Sequence, residues 1–263
     1  MSHAVVTERT TESRQLAGDL HTTRLARTEI DTVTSRVPGL DLEWAYEIQQ
    51  AGIDLRMQEG ETLVGGKLGF TSVAMQRAMG VDSPNYGWLT GAMLIHDRVV
   101  HLDQLIHPKV EPEIGFLLGA DLQPDCSAED VLEATVGVFP CLEIVDSRFR
   151  DFQFEPLDNI ADNSSAGMLV VGDAAVKPAG LDLRRVGAVT RANGQVVSTA
   201  AGAAALDDPA EAVAWMARSA RTRGLRSGDL VISGGLTRPI DLEAGMLVSV
   251  EIDRIGEAHF RVV

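Results

Sequence analysis

The sequence predicts an α+β fold in which a helical N-terminal region precedes a β-rich region. Between residues 42 and 57, apolar side chains recur at helical spacing, and Asp41 is placed to cap the start of that helix. The C-terminal third instead alternates short apolar runs with glycine turns, and Asn193-Gly194 is a strong hairpin signal. We therefore divide the chain into 1–75, an N-terminal arm and helical region, and 76–263, the β-rich region. The polar first 18 residues of the chain are expected to form a loose arm or a short helix with little core contribution.

Composition limits the classes of protein that fit. A chain of 263 residues with 45% hydrophobic residues can form a sizeable core. Its net charge of -15 disfavours nucleic-acid or anionic-membrane partners, which bind basic patches, and no apolar run approaches membrane-spanning length. The two cysteines, Cys126 and Cys141, are too few for a disulfide framework. We expect a cytoplasmic protein.

Three glutamates stand in two runs that read as strands. If 109–118 is a strand, its period of two places Glu111 and Glu113 on one face. Glu143 lies within a second apolar, β-branched run at 139–146. Converging carboxylates repel each other unless a cation joins them, and a hard divalent cation bound through oxygen resolves the repulsion. Mg²⁺ or Mn²⁺ fits better than zinc, because no cysteine or histidine cluster lies nearby.

A simpler interpretation of these glutamates stays open at this point. Glu111 and Glu113 would lie on the solvent-exposed face of an edge strand, a position in which Pro112 is also tolerated. Glu143 would then pair with Arg148 or Arg150 in an ordinary ion pair. Spacing alone does not decide between the two interpretations.

Lys67 is conspicuous because the chain has three lysines against twenty arginines. It lies in a short predicted strand, 64–72, among glycines and apolar residues. An apolar setting lowers the pKa of a lysine and suits proton transfer, whereas a charged lysine suits holding a carboxylate. Alternatively, Lys67 reaches solvent from the end of the strand.

Two loops are candidates for contact with a ligand. Residues 73–79 resemble a short helix closed by Gly80, and the turn-rich loop that follows carries Asp82. Asp82 is either a general acid or base or the residue that shapes the turn. The loop 160–167 offers hydroxyls and backbone N–H groups to a small ligand, or is a tight structural turn.

Taken together, these segments resemble the fumarylacetoacetate hydrolase superfamily, within its hydratase/decarboxylase branch of meta-cleavage catabolism. The resemblance covers about residues 40 to 263. It rests on 67–72 (KLGFTS), 80–84 (GVDSP), 106–114 (IHPKVEPEI), 142–148 (LEIVDSR) and 161–165 (ADNSS). It implies a mixed β-rich roll or barrel of the family's C-terminal type, so that 76–263 becomes a metal-binding catalytic domain.

The resemblance also implies roles for individual residues. It assigns Mg²⁺ or Mn²⁺ to Glu111, Glu113 and Glu143, and places Lys67 beside a small 2-oxo acid substrate. Asp82 is the weaker acid or base candidate. The residues expected to bind substrate are Thr71, Ser164, Ser165 and Gly235. We expect a homo-oligomer, with a possible complex between this chain and the pathway's partner hydratase or decarboxylase.

Two activities of the branch fit the sequence. The first is decarboxylation of 2-oxo-3-hexenedioate (4-oxalocrotonate) to 2-hydroxypenta-2,4-dienoate and CO₂, and the second is hydration of that dienoate to 4-hydroxy-2-oxopentanoate. Phe149, Phe152 and Phe154 favour decarboxylation, while 80–84 and Gly167 look closer to hydratases. Both reactions pass through the same dienolate, which explains why the motifs barely separate them. A non-catalytic partner subunit is a minor alternative, because Lys67 and the three glutamates are intact.

Overall fold

The computed structural model describes residues 3–220 and 223–263. Its helices are α1 His3–Ala26, α2 Val33–Arg36, α3 Leu42–Gln58, α4 Val73–Met79, α5 Ala128–Ala134, α6 Pro156–Ala161 and α7 Pro209–Ser219. Its strands are β1 Leu63–Gly69, β2 Asn85–Thr90, β3 Val99–Val100, β4 Lys109–Leu118, β5 Thr135–Val145, β6 Ala166–Val171, β7 Gly187–Ala192, β8 Gln195–Ala201, β9 Leu230–Ile232, β10 Ile240–Asp241, β11 Leu247–Ile252 and β12 Gly256–Val262. The predicted α+β class, in which a helical N-terminal region precedes the strands, is confirmed.

The strands form two sheets. The larger has the order β2-β1-β9-β4-β5-β6, with β10 also paired to β4, and the smaller has the order β3-β12-β11-β7-β8. β4 lies inside the larger sheet, antiparallel to β5 on one side and bordered by β9 and β10 on the other. The interpretation of residues 109–118 as an edge strand is therefore wrong.

The two faces of β4 follow the predicted alternation. Val110, Ile114 and Phe116 are fully buried in the main hydrophobic core, and Glu111 and Glu113 occupy the other face. β5 is buried along almost its whole length, as its apolar sequence predicts. The central strand pair thus turns one side to the core and the other to the carboxylates.

Local signals predicted several element ends correctly. The Asp41 side chain caps α3 by accepting a hydrogen bond from the Trp44 backbone N–H at 2.7 Å. Gly80 ends α4 with a left-handed φ of 66°. Asn193 and Gly194 join β7 to β8 as an antiparallel hairpin. These are contacts between near neighbours in the chain, which a single sequence can reveal.

The start of the chain differs from the expectation. The prediction of an arm or short helix with little core contribution is wrong, because α1 runs from His3 to Ala26 and packs against α3. Leu16, Ala17 and Leu20 are buried in the main core. The apolar stripe of α1 is short and set among polar residues, so periodicity gave a weak signal.

The proposed division at residue 75 lies inside α4, and β1 of the N-terminal segment lies between β2 and β9 in the larger sheet. The division of the chain into 1–75 and 76–263 stays a prediction. None of the helices in the described ranges combines the length and the apolar character needed to cross a bilayer.

If α1 belongs to the folded core, truncating a buried side chain on it should destabilise the whole protein. We expect Leu16→Ala to lower the free energy of unfolding by about 2–5 kcal/mol, because it leaves a cavity against α3. The exposed Thr22→Ala is the control and should change that free energy by less than about 0.5 kcal/mol. Urea unfolding followed by circular dichroism measures both, and equal stability of the two variants would contradict the packing of α1.

Candidate metal centre and active site

The sheet brings the three glutamates together. Glu111 of β4 is directly opposite Glu143 of β5 in the antiparallel register, and Glu113 lies two residues further along β4. Each of the three offers an oxygen that lies within 4.8 Å of the others. Glu113 and Glu143 are 0% exposed, which makes their charge costly without a counter-ion.

This crowding alters the acidity of all three carboxyl groups. Burial, with a smaller contribution from the Glu143 carboxylate, raises the pKa of Glu111 to about 7, although Lys67 opposes the shift. Burial and the neighbouring Glu143 raise the pKa of Glu113 well above its ordinary value. Burial also raises the pKa of Glu143, against the opposing effect of Lys67. The protein alone therefore holds this cluster under strong electrostatic repulsion.

Lys67 of β1 is the cation nearest to the cluster. Its Nζ lies 3.0 Å from Glu143 Oε2 and donates a hydrogen bond of 2.9 Å to the Ser164 carbonyl. Burial lowers the pKa of Lys67, but the carboxylates of the three glutamates together raise it further, so the net shift is upward. The burial of Lys67 shows that the snorkelling alternative is wrong, and its raised pKa beside the three carboxylates favours the charged alternative.

The arginines considered as partners for Glu143 are engaged elsewhere. Arg148 pairs with Asp162 and donates to backbone carbonyls, and Arg150 pairs with Asp31 at the surface. The ordinary ion pair is thus made by Lys67, from a strand far away in the sequence.

The residues present fit a hard divalent cation. One lysine faces three carboxylates, and Glu113 Oε1 and Glu143 Oε1 are buried with no hydrogen-bond partner among the residues that the structure describes. Buried carboxylate oxygens without partners are rare, and their convergence indicates a site built for a cation. An all-oxygen donor set of this kind suits Mg²⁺ or Mn²⁺.

The loop after β9 completes the cluster with its backbone. Gly234, at φ 93°, donates its N–H to Glu113 Oε2 at 2.8 Å. A Cβ added at Gly235 would lie 2.6 Å from Glu111 Oε1, so any larger residue displaces that carboxylate. This loop, and not a regular strand, runs beside Pro112, whose carbonyl accepts the Leu236 N–H. Pro112 is tolerated inside the sheet because the ladder is interrupted there.

The predicted polar loop, 160–167, includes the end of α6, a 3₁₀ turn at Asn163–Ser165 and the first residues of β6. Ser164 and Ser165 are buried and have left-handed φ angles of 52° and 55°. This conformation is strained for residues other than glycine. The Ser164 hydroxyl donates to Asn85 Oδ1, and the Ser165 hydroxyl accepts from Asn159 Nδ2, each at 2.9 Å. Side-chain hydrogen bonds thus lock the turn that holds the Lys67 ammonium group.

A cavity of about 940 Å³ opens onto this cluster. It brings together most of the predicted site, because it is lined by Lys67, Thr71, Glu111, Ser164, Ser165 and Gly235. Phe152 and Phe154 form an aromatic part of its wall, with ring centroids 5.6 Å apart. Phe149, expected in the same wall, is instead fully buried in the core. Asp82 is exposed and does not line the cavity, so its role stays a prediction.

A family model for the fumarylacetoacetate (FAA) hydrolase C-terminal region matches residues 71–263. The chain belongs to this family. A 2-keto-4-pentenoate hydratase of Paraburkholderia xenovorans is 40% identical over 84% of both chains. A 4-oxalocrotonate decarboxylase of a Pseudomonas species is 36% identical over 94% of this chain and 96% of its own. Relatives in this family therefore include both activities that the sequence left open.

A solved member of the family supports the fold assignment. The 4-oxalocrotonate decarboxylase of Pseudomonas putida, complexed with magnesium and adipate, superposes with a TM-score of 0.93. It shares 33% identity and covers 96% of this chain and 98% of its own. The mixed β-rich fold of the fumarylacetoacetate hydrolase type, with its N-terminal helical region, is confirmed.

Some cavity residues escaped prediction from the sequence. Asn159 and the N-terminal residues Thr32 and Thr34 line the cavity, and Thr34 is anchored there by two hydrogen bonds of 2.7 Å to Asp158. These contacts join segments more than a hundred residues apart, and no local pattern marks them. The sequence could have indicated that Lys109 lines the cavity, because the period of two places it on the same face of β4 as Glu111.

Metal affinity at this cluster should depend on pH. Because protons compete with a cation for carboxylates of raised pKa, Mg²⁺ should bind about tenfold or more weakly at pH 6 than at pH 8, given a Glu111 pKa of about 7. Binding near neutral pH should release protons, which calorimetry in buffers of different ionisation enthalpy detects. Glu113→Gln should weaken binding at both pH values. Affinity that does not change with pH would refute a site built from these carboxylates.

Proposed function

We propose that the chain binds Mg²⁺ or Mn²⁺ through Glu111, Glu113 and Glu143 and is a lyase acting on a small 2-oxo acid. Its proposed reaction is the decarboxylation of 2-oxo-3-hexenedioate to 2-hydroxypenta-2,4-dienoate and CO₂. The observation that carries this proposal is the shared cavity, in which the carboxylate cluster and Lys67 meet an aromatic wall. The whole-chain likeness to a decarboxylase bound to magnesium and adipate supports it.

The reacting end of the substrate belongs at the carboxylate cluster. A divalent cation bound there supplies stabilisation of the negative charge that develops on the 2-oxo oxygen. Lys67 favours the anionic form of Glu143, since its ammonium group lies 3.0 Å from that carboxylate and opposes the effect of burial. Its raised pKa keeps it charged, so it acts by attracting and positioning the substrate's negative groups. Ser164 keeps the ammonium group in place through its carbonyl.

The apolar part of the cavity lining suits the loss of a carboxylate. Phe152 and Phe154, with Phe70, Met75 and Met79, provide apolar surface to the cavity. An apolar surrounding disfavours a carboxylate charge and favours its departure as neutral CO₂. Electrons from the broken bond then pass along the conjugated chain to the 2-oxo oxygen, which takes up a proton from water to give the 2-hydroxy product.

Hydration of 2-hydroxypenta-2,4-dienoate is the second candidate, and two observations favour it. Hydroxyl and amide groups of Thr32, Thr34, Ser35 and Gln153 line the cavity and are able to hold a water molecule. Relatives that are 40% identical carry the hydratase name. A homo-oligomer, a complex with the enzyme of the adjoining step and a cytoplasmic location remain parts of the proposal.

Lys67 gives a direct test of the active site. At saturating metal, Lys67→Met should lower kcat by about a hundredfold or more, because the fixed positive charge beside the substrate is lost. The exposed Lys177→Met is the matched control and should keep the kcat of the parent. Circular dichroism checks that both variants fold. Normal turnover by folded Lys67→Met, with unchanged KM, would remove Lys67 from the mechanism.

The choice of reaction is tested by supplying each substrate separately. We expect the purified protein to release CO₂ from 2-oxo-3-hexenedioate and to form little 4-hydroxy-2-oxopentanoate from 2-hydroxypenta-2,4-dienoate. Chelation should abolish turnover, and added Mg²⁺ or Mn²⁺ should restore it. Rapid formation of the hydroxy acid, with no CO₂ from the diacid, would replace the decarboxylase by the hydratase. No turnover of either substrate with metal present would support a non-catalytic subunit.

A further inference from the structure

A second, smaller cavity lies between α1, α3 and the 3₁₀ turn that follows α6. Its volume is about 50 Å³, and it shares no lining residue with the active-site cavity. Apolar side chains of α1 and α3 form much of its wall. Its charged lining is one-sided, because the guanidinium groups of Arg24, Arg56 and Arg148 face a single carboxylate, that of Asp162.

Two of these three arginines have carboxylate partners of their own. Arg148 pairs with Asp162 through Nε and donates its remaining hydrogen bonds to backbone carbonyls. Arg56 donates from Nε to Glu61 at 2.8 Å and from Nη2 to the Thr90 hydroxyl at 3.2 Å. The positive charges of Arg148 and Arg56 are therefore balanced inside the protein.

Arg24, near the end of α1, has no such partner. Its Nε is buried and makes no hydrogen bond with any residue that the structure describes. Its Nη2 lies 3.5 Å from His21 Nδ1, at the limit for a hydrogen bond, and His21 itself pairs with Glu59. Burial and the nearby Arg56 lower the pKa of Arg24 to about 10, although Glu61 opposes the shift.

The cavity therefore has one positive charge in excess and space for a small counter-ion. A partly buried cation without a partner is costly, and an anion bound beside it lowers that cost. A water molecule needs about 10–15 Å³, so a cavity of about 50 Å³ admits an ion of one or a few atoms and no larger ligand. In a protein with a net charge of -15, an anion is attracted only by a local excess of cations of this kind.

We propose that this cavity binds a small monovalent inorganic anion, such as chloride, at the Arg24 guanidinium group. A monovalent ion balances the single excess charge, whereas a divalent one would leave a buried negative charge unpaired. The bound ion would also offset the repulsion between Arg24 of α1 and Arg56 of α3, and so stabilise the packing of α1 on the core. The inference does not depend on the proposed function, because none of these residues lines the active-site cavity.

Thermal unfolding at constant ionic strength, in sodium chloride or in sodium gluconate, tests the proposal. Gluconate carries the same charge but is too large for the cavity. We expect the melting temperature of the parent to be about 2–4 °C higher in chloride than in gluconate when chloride is at ten times its Kd. Arg24→Met should abolish this difference. Arg24→Lys, which keeps a positive charge, should retain part of it.

The matched control is Arg14→Met, which removes an exposed arginine of α1 outside the cavity and should keep the full difference. A merely structural role for Arg24 would lower the melting temperature of Arg24→Met equally in both salts. That result would overturn the proposal, as would equal melting temperatures of the parent in chloride and gluconate.

Crystals grown in sodium bromide locate the anion, because bromide replaces chloride and scatters anomalously at its absorption edge. We expect an anomalous peak within hydrogen-bonding distance of the Arg24 guanidinium group in the parent and in Arg14→Met, and no peak there in Arg24→Met. A cavity that holds only water in the parent crystals would overturn the proposal. Bromide peaks confined to the protein surface would do the same.

Discussion

Three crowded carboxylates, two of them fully buried, beside a single buried ammonium group are the constraint on which this structure depends. Glu111, Glu113 and Glu143 converge on one face of the larger sheet, and the Lys67 ammonium group pairs with Glu143. Like charges at this distance in a low-dielectric setting repel strongly, and burial adds a desolvation cost. The raised pKa of Glu111, about 7, reflects that cost. A divalent cation bound at this position would remove that repulsion.

The fold keeps the cluster rigid by using backbone groups. The Gly234 N–H holds Glu113, and the Ser164 carbonyl holds Lys67. Both groups lie in left-handed segments, which turn an amide or a carbonyl toward the site where regular strand geometry would not. A Cβ at Gly69 would lie 2.6 Å from the Ser164 hydroxyl, so β1 approaches this turn as closely as a glycine allows. Conformational strain near the site is thus balanced by tertiary hydrogen bonds.

The sequence predicted features that depend on local pattern and missed those that depend on long-range packing. The alternation in β4 placed Glu111 and Glu113 on one face, and the apolar run around Glu143 marked a buried carboxylate. The sequence did not reveal that Lys67 contacts Glu143, because their strands are not adjacent in the sheet. The core role of α1 was missed for a similar reason, since its buried stripe is defined by α3 and not by its own periodicity.

The cavity also explains why family motifs do not separate the two activities. The part of its lining nearest the glutamates comes from the strands that carry Lys67 and those glutamates, and under the proposed function both reactions require the same charge stabilisation there. The rest of its lining comes from other segments, which contribute Thr34, Met75 and Phe152. Under the proposed function, the polarity of that lining distinguishes the loss of a carboxylate from the addition of water. The choice of substrate then depends on side chains outside the glutamate motifs, and relatives at 36–40% identity carry the names of both activities.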